Sequence, residues 1–251
     1  MTILGLLFLL VFVLAFVFQS PVIMNILFLA GASLAFWLLY EFRMHGSRPS
    51  FTEETKSVER KEAVRILSAI FAVFIGLSLT TAVGNVFKDP WLLFTDPLSP
   101  TIVLFAVFLI TVVPFIQGSL ILFARYAMKI NGADQTKDRD PFIDAAVIFV
   151  QAGIYLGMAA TITILQLFIF WTFSLQLVSG IYLVHLRCRS GAKAVGPLRE
   201  WLGLDIVFGT YLTLCYFFIL PLQWSFTPLF LAAAAFARTL TDYRVAYKWY
   251  F

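Results

Sequence analysis

Long apolar runs broken by short polar stretches set the pattern of this chain. Residues 3–18 and 22–40 are two apolar runs separated by Gln19, Ser20 and Pro21. A polar stretch follows from Glu41 to Glu62. Within it Ser50, Phe51, Thr52 and Glu53 form a capping box just after Pro49, which predicts a helix that continues into a third apolar run over residues 66–87. Pro90, Pro97 and Pro100 punctuate the next connector. A fourth run covers residues 101–127, where Pro114 and Gly118 predict a kink. After a charged loop at 129–140 come 46 residues, 141–186, with little polar interruption. One straight helix of that length would measure roughly 69 Å, about twice what a bilayer needs, so the run divides into spans over 142–160 and 164–186. A basic loop at 187–199 precedes a seventh run over 200–222 and an eighth over 228–247. The fold class is therefore all-α: a polytopic integral membrane helical bundle of about eight transmembrane helices, with six or seven as alternatives, forming a single transmembrane domain over residues 1–251.

Charge placement sharpens this division. The loops after the second, fourth and sixth runs with the run ends that adjoin them, together with the eighth run and its C-terminal end, hold 17 of the 18 Lys and Arg residues. Lys88 is the exception. This is the alternation that the positive-inside rule requires, with both termini cytoplasmic. Reading 141–186 as one span would break it. The first run lacks a basic n-region and a good small-residue cleavage site, so it reads as a short span, with a cleaved signal peptide as the alternative.

Composition agrees: 61% of residues are hydrophobic and only 13% charged, against about 25% charged in soluble domains. No soluble domain of ordinary size fits between the runs. The two cysteines, Cys188 and Cys215, make neither a disulfide framework nor a metal spacing. His45 and His185 form no His-x-x-x-His pair, and no Gly-x-Ser-x-Gly elbow or Walker loop occurs. No nucleic-acid module is present, and neither a metal nor a cofactor is expected.

The candidate chemistry lies in charges at membrane depth. The eighth run opens with Thr227 and Pro228, a capping residue and a proline at the first helical position. Arg238 follows about eleven residues in, roughly 16 Å along a helix and near mid-membrane. Asp242 is one turn further on, at pairing distance along one face. Asp205 lies six residues beyond Arg199 and enters from the same predicted side. Arg238 is thus expected to bond Asp242, Asp205 or both. Asp144, Arg125 and Glu41 complete the intramembrane polar cluster. Gln117, Gln151, Gln166 and Gln176 are amides inside the spans, suited either to a solute pathway or to helix-to-helix hydrogen bonds. Gly153 and Gly157 are spaced for close helix packing. Trp171, Trp201, Trp224, Trp249, Tyr247 and Tyr250 read as an interfacial belt.

Two function classes compete. A membrane subunit or scaffold, partnered by the lipid bilayer and by other membrane subunits or further copies of itself, fits the missing catalytic constellation. A transporter or channel with a cytoplasm-facing polar site built on Asp144, Asp205, Arg238 and Asp242 fits the buried charge. A lipid-acting membrane enzyme is a third reading. The expected location is a bacterial inner membrane. A cavity reaching Asp205 and Arg238 favours transport; a dry, fully paired cluster favours the scaffold.

Overall fold

A computed structural model of the chain describes residues 53–88, 90–128, 141–190, 198–222 and 226–250. The chain falls into two units, Met1–Lys56 and Ser57–Phe251. The expected spans over 3–18 and 22–40, and Glu41 and Ser50 with them, lie outside the described residues, as do the loops at 129–140 and 191–197. The account below concerns the second unit.

Six long helices carry it: α1 Glu53–Val86, α2 Pro100–Met128, α3 Pro141–Ala160, α4 Leu165–Ser190, α5 Leu198–Leu214 and α6 Thr227–Tyr250. No strand occurs among the described residues. Five segments, Val64–Val86, Pro100–Ala124, Ile143–Ala160, Leu165–Leu186 and Glu200–Ile219, are long and apolar enough to cross a membrane. This suggests an integral membrane protein. α6 is not among them. Every eighteen-residue stretch of it contains at least three of Arg238, Asp242, Arg244 and Lys248, so its place in a membrane depends on what its neighbours offer those charges.

Local sequence explains the helix ends. Proline opens α2 and α3, where its missing N–H costs nothing. Asp144 in the first turn of α3 complements the helix dipole. α1 runs unbroken from Glu53 through the third apolar run. Between α3 and α4 the chain turns at Thr161–Thr163. Thr161 Oγ1 donates to the Gly157 carbonyl at 2.8 Å, and the Ile164 amide donates back to the Thr161 carbonyl at 2.8 Å. Four consecutive β-branched residues, 161–164, favour leaving the helix here. α5 continues into a π turn, Cys215–Ile219, and a short 3-10 turn, Leu220–Leu222. Pro221 provides the reason, since it cannot donate to the carbonyl four residues back.

Packing closes a ring. α2 lies most extensively against α6, α4 against α5 and α3 against α4, and the contacts α5 with α6 and α2 with α3 complete the circuit. α1 joins from outside through edge-on aromatic contacts of Phe71 with Phe115 and Phe123, and of Phe74 with Phe149. Asn85 Nδ2 adds a hydrogen bond to the Ala159 carbonyl at 3.1 Å. Gly157 lets α4 come close: a Cβ there would lie 2.7 Å from Trp171 Cδ2 and Cε2. The Gly153/Gly157 spacing thus serves packing within this chain at Gly157, and Trp171 belongs to that helix pair rather than to a belt.

Pro114 stands inside α2 and withdraws the amide that would serve the Ile110 carbonyl. Neighbouring helices answer for this kink region. Thr239 Oγ1 of α6 donates to the Ile110 carbonyl at 3.4 Å, and Tyr155 OH of α3 donates to the Thr111 carbonyl at 2.7 Å. Such compensation is how prolines are tolerated in spans. Thr239→Val, which removes the donor to the Ile110 carbonyl, should therefore lower thermal stability in detergent by about 0.6–1.7 kcal/mol. The loss should shrink in a Pro114→Ala background, where a regular turn can serve that carbonyl. Equal losses in both backgrounds would show that the kink does not create the need.

Candidate functional site

The ring encloses a cleft of about 250 Å³ lined by all five of its helices. α2 contributes Pro114, Phe115 and Gly118; α3 contributes Gln151 and Tyr155; α4 contributes Gln176, Ser179 and Tyr182; α5 contributes Trp201 and Asp205; α6 contributes Arg238 and Asp242. Five helices separated in sequence thus place polar side chains on one interior space.

The charged rungs follow from helix spacing. Trp201 and Asp205 are four apart on α5, so they share a face. Arg238 and Asp242 are four apart on α6, likewise. The two helices meet with these faces opposed: Arg238 Nη2 donates to Asp205 Oδ1 at 2.6 Å, and Trp201 Nε1 donates to Asp242 Oδ1 at 2.6 Å. Arg238 Nε also donates to Gln176 Oε1 at 3.1 Å, which ties α4 to the same rung. The guanidinium carbon stands 5.8 Å from the centroid of the Phe208 ring. A third carboxylate, Asp144 on α3, accepts a 2.6 Å hydrogen bond from Tyr182 OH of α4.

Asp205 is 4% exposed. Its Oδ1 is paired with Arg238, whereas its Oδ2 is buried with no hydrogen-bond partner among the described residues. A buried polar atom left unmet costs about 1–3 kcal/mol, so this oxygen is an acceptor waiting for a donor. Arg238 spends Nε and Nη2 on protein and keeps Nη1 free of such bonds among the described residues. The ion pair is therefore closed on one side and open on the other.

Of the residues singled out from sequence, Asp205, Arg238, Asp242, Gln151 and Gln176 line one cleft. Asp144 is buried, one hydrogen bond away from the lining Tyr182. Gln117 is placed elsewhere, between α2 and α6, where it accepts from Tyr243 OH at 2.8 Å. Gln166 is exposed on the first turn of α4. Arg125 lies in α2, but its side chain is outside the described residues, as are those of Trp249, Tyr247 and Tyr250. Trp224 is outside them altogether. Sequence reasoning missed Tyr155, Tyr182 and Ser179, and assigned Trp201 to a belt although its indole N–H is spent on Asp242. The signal for Trp201 was its four-residue spacing from Asp205, a mirror of Arg238 and Asp242. Among the described residues no group of His, Cys, Asp and Glu is arranged to hold a metal ion.

These features define a helical membrane-type bundle built round a partly paired interior charge. No protein-family model, curated protein or solved structure matches the chain.

Proposed function

We propose that this protein is a multi-pass membrane transporter or channel whose central cleft admits a small polar solute or ion from the cytoplasmic side. One observation carries the proposal: the cleft reaches the Asp205–Arg238 pair, and the pair's inner oxygen is unmet. A scaffold has no use for such a cavity, because a buried ion pair that only locks helices is most stable when fully paired and dry. The Lys and Arg distribution supports eight spans with both termini cytoplasmic and an inner-membrane location, with α6 as the eighth span. In that arrangement the loop ends of α2, α3, α4 and α5 nearest the cleft all face the cytoplasm, and Arg238 and Asp242 of α6 turn into the ring. Reporter tags after residue 134, within 187–199 and after Phe251 should then read cytoplasmic, and one near Asp96 should read external.

The test is cysteine accessibility. With Cys188 and Cys215 replaced, Ser179→Cys on the cleft wall should react with a membrane-impermeant thiol reagent added from the cytoplasmic face. Ser174→Cys, on the helix face of exposed Phe170 and Leu177, should stay silent in a bilayer. A silent Ser179→Cys from both faces would leave the cleft dry and return the scaffold reading to first place.

A further inference from the structure

The open side of the ion pair carries information about the guest. Asp205 Oδ2 is an acceptor without a donor, on a side chain that is 3% exposed. Arg238 Nη1, on the facing helix, has no acceptor among the described residues and belongs to a side chain that is 20% exposed. Asp205 and Arg238 form one salt bridge, through Oδ1 and Nη2, and both residues line the cleft. Bare cations placed on Asp205 would sit against the arginine, and bare anions placed on Arg238 would sit against the carboxylate. Like charges at such short range repel strongly in a low-dielectric interior. A guest that meets both groups at once offers a donor and an acceptor on one small, net-neutral frame, and a zwitterion offers both as charges complementary to the pair.

The remaining wall suits that frame. Gln151 makes no side-chain hydrogen bond among the described residues and offers both a donor and an acceptor. Ser179 adds a hydroxyl, and the Trp201 ring adds apolar surface beside the charges. About 250 Å³ lies just under the roughly 300–1,000 Å³ of ordinary small-molecule sites, which favours a compact solute. We infer that the cleft is a binding site for a neutral amino-acid-like zwitterion, its ammonium on Asp205 Oδ2 and its carboxylate on Arg238 Nη1. This inference rests on the cleft being open to water, as proposed above.

The test uses the full chain purified in mild detergent, with its melting temperature followed against ligand concentration. L-alanine, L-leucine and L-phenylalanine form the probe panel. Ethylamine and propionate serve as the two half-molecules of alanine. At least one amino acid should raise the melting temperature saturably by several degrees, because a ligand that binds only the folded state stabilises it by mass action. Neither half-molecule should do so at the same concentration. Ser179→Phe, which fills the cleft and leaves the ion pair intact, should abolish the shift. Asp205→Asn and Arg238→Lys should weaken it at least tenfold in apparent affinity wherever they fold. An equal shift with ethylamine or propionate alone, no shift with any amino acid, or a shift that survives Ser179→Phe each overturns the inference. If Ser179→Cys is labelled from the cytoplasm while no amino acid binds, this inference fails and the transport reading stands. If Ser179→Cys is silent from both faces, the transport reading falls first and takes this inference with it.

Discussion

Arg238→Ala should abolish stable accumulation of the protein in the membrane. The guanidinium cannot shed its proton, so burial cannot be relieved by neutralisation. It is instead held by Asp205 at 2.6 Å and Gln176 at 3.1 Å. Removing it leaves Asp205, 4% exposed, as a buried carboxylate with neither oxygen met. Breaking one partner of a buried pair typically costs about 3–5 kcal/mol, a large share of the stability of an ordinary domain. The double change Arg238→Ala with Asp205→Asn removes the orphaned charge and should restore part of the accumulation. Arg238→Lys should fall between the two, since an ammonium keeps the charge but lacks the planar fork that reaches Asp205 and Gln176 together. Accumulation and melting temperature are the readouts. A single alanine variant that accumulates normally yet stops a measured flux would assign the pair to transport alone and not to folding. Equal accumulation of wild type, single and double variants without any loss of flux would remove the pair from both roles.

Gly157→Leu should separate α3 from α4. A single Cβ at this position would already lie 2.7 Å from two atoms of the Trp171 ring. The indole must then shift from its place, where Phe170 stands edge-on to it at 5.6 Å. Overpacking of this kind costs about 1–3 kcal/mol, occasionally more. Here the helix pair also carries the turn at Thr161, whose hydroxyl bonds the Gly157 carbonyl. The expected result is a lower melting temperature together with weakened binding at the cleft, since α3 brings Gln151 and Tyr155 to it. Trp171→Ala should rescue Gly157→Leu in part by vacating the volume. A Gly157→Leu variant as stable as wild type would mean that α3 and α4 can slide apart without loss.

Much of the helical layout was legible because its causes are local. Apolar run length against bilayer thickness marks the helices, and proline at 100 and 141 marks two starts. The division within residues 141–186 came from charge alternation, while the local cause of the turn, four β-branched residues and the hydroxyl of Thr161, went unread. The capping box at Ser50–Glu53 falls largely outside the described residues, and α1 is helical from Glu53 onward. The character of α6 was less legible. It opens like a span, but its charges keep it below the apolarity of the other five, and only its neighbours make its charged face tolerable.

The candidate site divides along the same line. The sequence by itself determined that charge must be buried: Asp205 falls inside a run apolar enough to cross a membrane, Arg238 follows eleven residues into a run that opens apolar, and an arginine there requires a partner. It left open whether Arg238 would take Asp242, one turn away on its own helix, or Asp205, 33 residues earlier in the chain. Tertiary structure decided that through the register of α5 against α6, which sets Asp205 opposite Arg238 and hands Asp242 to Trp201. It also decided that the pair stays open on one side. A helix repeats its own faces every 3.6 residues, so sequence shows what shares a face. Which faces meet, and what gap they leave between them, depends on how five helices close into a ring.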